Sequence, residues 1–82
     1  SPCSLFVICS AKSTTQINAI ANNIEKVLLE KLNTKVWRKE GQKSNWQLLD
    51  YSDIVVHILK QETRQYYNLE ELWEDGLIKK ID

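Results

Sequence analysis

The chain has two glycines, one proline and no methionine in 82 residues. Two glycines, Gly41 and Gly76, cannot build a Gly-rich phosphate cradle, so the dinucleotide-binding and P-loop readings both fail. Net charge is missing too: eleven Lys and Arg balance eleven Asp and Glu. A neutral domain has no bulk pull toward phosphates, so sequence-independent binding of DNA or RNA is not its default, and a protein partner is mildly favoured. Long apolar runs are absent. Leu5–Cys9 and Ile54–Leu59 are far too short to span a bilayer, and no signal peptide is visible. There are only two cysteines, Cys3 and Cys9. A strand through residues 5–9 would hold their Cα atoms too far apart for a disulfide. Cys9 reads as a small buried hydrophobe whose thiol would be a poor nucleophile, and no zinc spacing exists. Beginning Ser-Pro and lacking Met, the sequence is expected to be a piece of a longer protein, or one whose leader has been removed.

What is present describes one small folded domain. Apolar residues make up 43% and charged residues 27%, an ordinary globular balance, at a size where a single core gives marginal stability. Leu5-Phe-Val-Ile-Cys9 is a run of β-formers and reads as a central strand covered on both faces. Ser13 followed by Gln16 matches a capping box. From there Ile17, Ile20, Ala21, Ile24, Val27, Leu28 and Leu32 recur at threes and fours, predicting an amphipathic helix over about 14–32. Glu25, Lys26, Glu30 and Lys31 fall on its wet side. Asn33-Thr34 ends it.

Lys35–Lys39 alternates apolar with basic residues, as a half-exposed strand does. Residues 40–45 read as a turn and Trp46–Asp50 as another strand. Tyr51–Asp53 is a tight connection into Ile54–Leu59, with Ile54, Val56 and Ile58 on one face and Val55, His57 and Leu59 on the other. Gln61–Tyr67 suits a helical turn. Asn68 is expected to be the N-cap of a short helix through Leu69, Leu72 and Trp73, stopped at Gly76. The order β-α-β-β-β-α predicts an α/β fold, one mixed sheet packed with helices. The strands flanking the long helix should run parallel and the later three antiparallel.

Three groups could carry chemistry, and each has a plainer reading. Asp50 and Asp53 could hold a magnesium ion, but Asp side chains also serve tight turns, and no Gly-Ser turn with closely spaced acids accompanies them. His57 could be a general base, yet no Ser or Cys is obviously paired with it, and a hydrogen bond to a backbone group or carboxylate is the plainer role. Trp37, Trp46 and Trp73 are many for so small a domain. One or two pack the core, and an exposed one would face a partner, since Trp, Tyr and Arg dominate protein interfaces. Single-stranded bases could also stack on Trp37 and Trp46, against which the neutral charge counts.

Three blocks in order carry a family resemblance. Phe6-Val-Ile precedes Gln16-Ile-x-Ala19-Ile20-Ala21-x-Asn23-Ile24-Glu25. Trp46-x-Leu-Leu-Asp50-Tyr-x-Asp53-Ile-Val-Val-His57-Ile is the second. Arg64-x-Tyr66-Tyr67-x-Leu69-Glu70-x-Leu72-Trp73-x-Asp75 is the third. Together, over most of residues 5–75, they resemble the ribosomal silencing factor (RsfS, or Iojap) family. The chain departs from it at Ser4-Leu5, where members carry Asp-Tyr, at Ala11 and Ser52 where they carry Gly, and at Thr15 where they carry Arg. The family's first helix and strand do not precede this point, so residues 1–82 read as a single diverged or truncated domain. Loss of that strand would leave one sheet edge open for a partner or a second copy.

The resemblance implies a non-enzymatic domain with a nucleotidyltransferase-like fold, needing no cofactor or metal. It implies binding to the large ribosomal subunit through its protein fourteen. Joining of the small subunit would then be blocked sterically, or a maturing large subunit guarded. A homodimer or another assembly factor are further partners it allows, with no membrane or DNA. Bacterial cytoplasm, mitochondrion and plastid all fit. The interface is expected on Trp46, Asp50, Asp53, His57, Arg64, Tyr67, Glu70 and Trp73, with Tyr67 and Leu69 the first to be structural instead. The rivals are a nucleotidyltransferase-like enzyme using Asp50 and Asp53, and a single-stranded RNA binder.

Overall fold

A computed structural model describes residues 5–68 and 79–80. Strand β1 (Leu5–Ala11) leads into helix α1 (Thr14–Leu32), then strands β2 (Arg38–Glu40), β3 (Trp46–Asp50) and β4 (Ile54–Lys60), helix α2 (Gln61–Tyr67) and a two-residue strand β5 (Lys79–Lys80). The sheet order is β2-β3-β4-β1-β5. Strands β2, β3 and β4 form an antiparallel meander, and β1 lies parallel to β4, so the sheet is mixed as expected. Strands β1 and β2 do run the same way, but they are not neighbours. The meander carries β2 to one edge and returns β4 to the side of β1, with Val7 opposite Val56 and Cys9 opposite Ile58. The other edge is β5, which pairs with β1 at Val7 and Ile8 and which the sequence reading did not foresee.

Helix α1 starts where Ser13, extended at φ −150, accepts a hydrogen bond from the Gln16 N–H at 3.1 Å. The Gln16 side chain returns the bond one residue early, to Lys12 N–H. The helix closes on Asn33 in the left-handed conformation, with Thr34 N–H reaching back to the Leu28 carbonyl. Its core-facing stripe is narrower than the periodicity implied. Ile17 and Ala21 are buried and Ile20, Ile24 and Leu28 half-buried, while Val27 and Leu32 are exposed. Glu25, placed on the wet side by its charge, is instead half-buried and meets Lys39 Nζ at 3.4 Å.

The main core is the layer between α1 and the sheet: Ala11, Ile17, Ala21, Leu49, Tyr51, Val56 and Ile58, with Val7, Cys9 and Ile54 around them. Burying an Ile or Leu completely contributes about 1.5–3 kcal/mol, so Ile17, Leu49 and Ile58 dominate this side. Cys9 is half-buried rather than fully enclosed. A smaller cluster of Ile8 and Leu59, flanked by Phe6 and Trp46, sits on the opposite face, where α2 packs on β1 and β4.

One expectation needs correcting here. The alternation at Lys35–Lys39 yields a strand only at Arg38–Glu40, all exposed, because residues 33–36 are spent leaving the left-handed cap and tucking Val36 against the core. Asn68, expected as an N-cap, is the left-handed C-cap of α2 at φ 50. The short helix expected through Leu69, Leu72 and Trp73, with its stop at Gly76, lies outside the described residues, as do Cys3, Glu70 and Trp73 themselves.

Candidate functional site

The alternation of β3 and β4 decides which side chains share the face away from α1. Leu48 lies opposite His57 and Trp46 opposite Leu59, so Trp46 and His57 are diagonal neighbours on that face. The Trp46 indole N–H donates to His57 Nδ1 at 3.0 Å. The expectation of a backbone or carboxylate partner for the histidine is therefore corrected: its nitrogen serves as an acceptor for an indole. Only a neutral ring offers that lone pair. Burial pushes the His57 pKa down from its usual 6.5 in the same direction.

From His57 the rings continue both ways. Phe6 of β1 lies 5.6 Å from it, centroid to centroid, and Trp46 lies 5.9 Å away edge-on. Trp46 meets Tyr67 at 5.2 Å and Tyr67 meets Tyr66 at 5.0 Å, near perpendicular. These are the separations at which tilted aromatic pairs attract. The line Phe6–His57–Trp46–Tyr67–Tyr66 runs from the half-buried sheet to the surface, where Tyr67 is 56% and Tyr66 82% exposed. Trp46, Tyr66 and Tyr67 also floor an open groove of about 570 Å³, rimmed by Asn45, Glu62 and Thr63.

The expected interface residues divide. Trp46, His57 and Tyr67 come together in this line. Arg64 lies in the same helix but is 5% exposed, and its Nη1 donates to Ser10 Oγ at 2.5 Å, so it anchors α2 on β1. Asp50 and Asp53 sit at the other end of the strands, about 13 Å along from Trp46 at 3.3 Å per residue. There Asp50 Oδ1 accepts from Ser52 N–H at 2.8 Å, supporting the left-handed Ser52 in the turn, and its Oδ2 stands 3.7 Å from Arg38. Among the described residues, no three His, Cys, Asp or Glu side chains cluster as a metal site would need. Nor, among the described residues, is any helix long and apolar enough to cross a membrane.

The sequence reading missed Phe6 as part of this face. Its alternation with Val7 inside an apolar run was the available signal, hidden because both faces of that strand are partly covered. Trp37, expected as a base-stacking candidate in one rival reading, is 69% exposed and carries the Arg38 guanidinium 5.1 Å above its ring, remote from the aromatic line.

Comparison with known proteins shows the family and the fold. The family model "Ribosomal silencing factor during starvation" matches residues 1–82. A protein named ribosomal silencing factor RsfS from Halalkalibacterium halodurans is 42% identical over 72 residues, which are 87% of this chain and 61% of that protein. The chloroplastic protein Iojap of maize is 40% identical over 68 residues, 83% of this chain and 29% of the relative. A crystal structure from Bacillus halodurans superposes with a TM-score of 0.70 at 42% identity, covering 83% of this chain and 65% of the other. The chain thus spans about three-fifths of the bacterial relatives it matches.

Proposed function

Because the chain belongs to the ribosomal silencing factor family, we propose that it acts by docking rather than by chemistry, seating its aromatic face on the large ribosomal subunit. The observation that supports this most is the ring line ending at Tyr66 and Tyr67. Large rigid aromatic surface at low entropic cost is what protein interfaces select, and here two tyrosines are exposed with nothing on the described fold to cover them. The partner surface is protein fourteen of that subunit, and the effect is steric: a domain seated on the inter-subunit face keeps the small subunit away. Trp46, His57 and Tyr67 form the centre of this docking surface, with Glu70 and Trp73 following in the chain. Asp50 and Asp53 meet basic groups at its far end, and Arg64 positions the helix that carries the tyrosines. The bacterial and chloroplastic relatives fit a ribosome-associated protein of the cytoplasm or an organelle.

Sedimentation with purified subunits tests this. The protein should travel with free large subunits, and its presence should lower the yield of joined ribosomes. Tyr66→Ala, which touches little of the fold, should weaken co-sedimentation about tenfold, the loss of one well-seated aromatic contact. Sedimentation with small subunits instead, or undiminished binding by a Tyr66→Ala, Tyr67→Ala double variant, would sink the proposal.

A further inference from the structure

On the opposite side of the sheet, α1 carries a second pattern. Asn18, Asn22 and Glu25 stand at i, i+4 and i+7, one polar stripe beside the apolar stripe of Ile17 and Ala21. They border the β2–β3 hairpin, Asn18 and Glu25 half-buried and Asn22 exposed. Across from them is Gln47, on the same face of β3 as Leu49, where an apolar side chain would add to the core. Gln47 is instead 5% exposed, and its amide nitrogen donates to Asn18 Oδ1. A buried carboxamide costs stability unless bonded, so the single Gln47–Asn18 bond makes this seam tolerable. It does not account for the rest. Lys39 reaches Glu25 at 3.4 Å, and Lys43 completes the rim of a cleft of about 230 Å³. Among the described residues, neither Asn22 nor Lys43 has a side-chain hydrogen bond or ion pair within the protein.

We propose that this cleft binds a free acidic α-amino acid, with L-glutamate the representative ligand. The volume lies below the roughly 300–1,000 Å³ of pockets for larger molecules, so one small polar metabolite fills it. No aromatic ring lines it, which leaves a nucleobase nothing to stack on. The charged groups are two ammonium ions and one carboxylate, the inverse of the one ammonium and two carboxylates of glutamate. Binding exchanges the existing Lys39–Glu25 pair for pairs to the ligand. The Glu25 carboxylate accepts from the α-ammonium, Lys39 and Lys43 donate to the carboxylates, and the Asn22 amide donates to whichever oxygen remains. Opposed charges are thus traded for opposed charges, so little unpaired desolvation opposes entry.

Isothermal titration and amide-shift NMR of the protein with L-glutamate test the assignment, and need no ribosome, so the outcome is separate from that of docking. Saturable binding of one ligand is expected, with shifts at Asn22, Lys39 and Lys43. Lys43→Ala and Asn22→Ala, both at exposed positions, should each weaken it about tenfold, and Tyr66→Ala should leave it unchanged. Absence of saturable binding would overturn the proposal. So would equal binding by Lys43→Ala, or equal affinity for glutarate, which lacks the ammonium that Glu25 is assigned to hold. Displacement by a short RNA at low concentration would reassign the cleft to nucleic-acid backbone.

Discussion

Replacing Trp46 by Phe isolates one bond at the centre of the proposed docking face. A phenyl ring keeps most of the contact with His57 and Tyr67 but cannot donate to His57 Nδ1. A neutral hydrogen bond contributes about 0.5–1.5 kcal/mol net, and leaving a half-buried acceptor unpaired adds to the loss. Trimming the indole to a smaller ring weakens two aromatic contacts of about 0.5–1.5 kcal/mol each. The variant should therefore lose about 1–2 kcal/mol. At about 4–8 °C per kcal/mol for a domain of this size, its melting temperature should fall by roughly 5–15 °C. The bond also has a pH signature. His57 has its folded pKa depressed by burial, so between that value and the unfolded 6.5 the unfolded chain holds more protons. Stability is therefore complete above about pH 6.5 and drains away as pH falls through that window. Removing the indole donor removes one preference for the neutral ring, so the Phe variant should lose less on acidification. Urea unfolding followed by circular dichroism at pH 7.5 and at pH 5.5 reads both effects. A Phe variant as stable as the parent at pH 7.5, or a parent whose stability does not change between the two, would refute the reasoning.

Three further substitutions probe the frame. The Tyr51 hydroxyl is buried without a hydrogen-bond partner among the described residues, so Tyr51→Phe should hold or raise stability, by up to about 1 kcal/mol, seen as an unchanged or higher urea midpoint. Burial, and then the charge of Glu25, raise the Tyr51 pKa above 10, so the parent should lose stability as pH climbs past 10 and Tyr51→Phe should lose less. Arg64→Ala deletes the charged donor to Ser10 that ties α2 to β1 and should cost about 1.5–3 kcal/mol, with faster amide exchange in residues 61–67 before the rest of the domain. Gly41 sits at φ +72, and a Cβ there would lie 2.1 Å from the Trp46 carbonyl oxygen, so Gly41→Ala should destabilise by roughly 1–3 kcal/mol in the same urea assay, with the β2–β3 hairpin shifting most by NMR.

The parts of this fold that could be read from the sequence are those set by near neighbours. Helix α1 came from Ser13, its four-residue spacing and Asn33-Thr34, all local signals. The strands at Leu5, Trp46 and Ile54 came from runs of β-formers bounded by turn residues. The sides of Ile54–Leu59 followed from alternation alone, and the Asp50 turn from its short polar side chain. What could not be read depends on register and crossover. Nothing near Leu5 says that its strand will lie beside Ile54 rather than beside Arg38. Nothing near Trp46 says that His57, eleven residues on, will be its diagonal neighbour. Arg64 illustrates the limit most clearly. An arginine among tyrosines has the composition of an interface, and only the packing of α2 on β1 turns it inward to Ser10.

The two faces of the sheet divide the domain's work unequally. Helix α1, nineteen residues long, covers one side and holds most of the fully buried aliphatic surface. Among the described residues, the other side has only the seven-residue α2 over Ile8 and Leu59. Phe6, His57 and Trp46 are half-buried there, contributing to stability and, on the proposed reading, keeping area in reserve for a partner. Because the same rings serve both ends, changes at Trp46 alter folding and docking together, whereas Tyr66, exposed at the end of the line, should alter docking alone. Binding to a partner that recognises only the folded state must also stabilise it, by an amount that grows with the logarithm of partner concentration. If the partner seats on these rings, its protection should appear first in β4 and α2, with α1 following only as global unfolding is suppressed. Hydrogen exchange with and without large subunits distinguishes that order from docking through α1 or the β2 edge, which would protect the helix or residues 38–40 first.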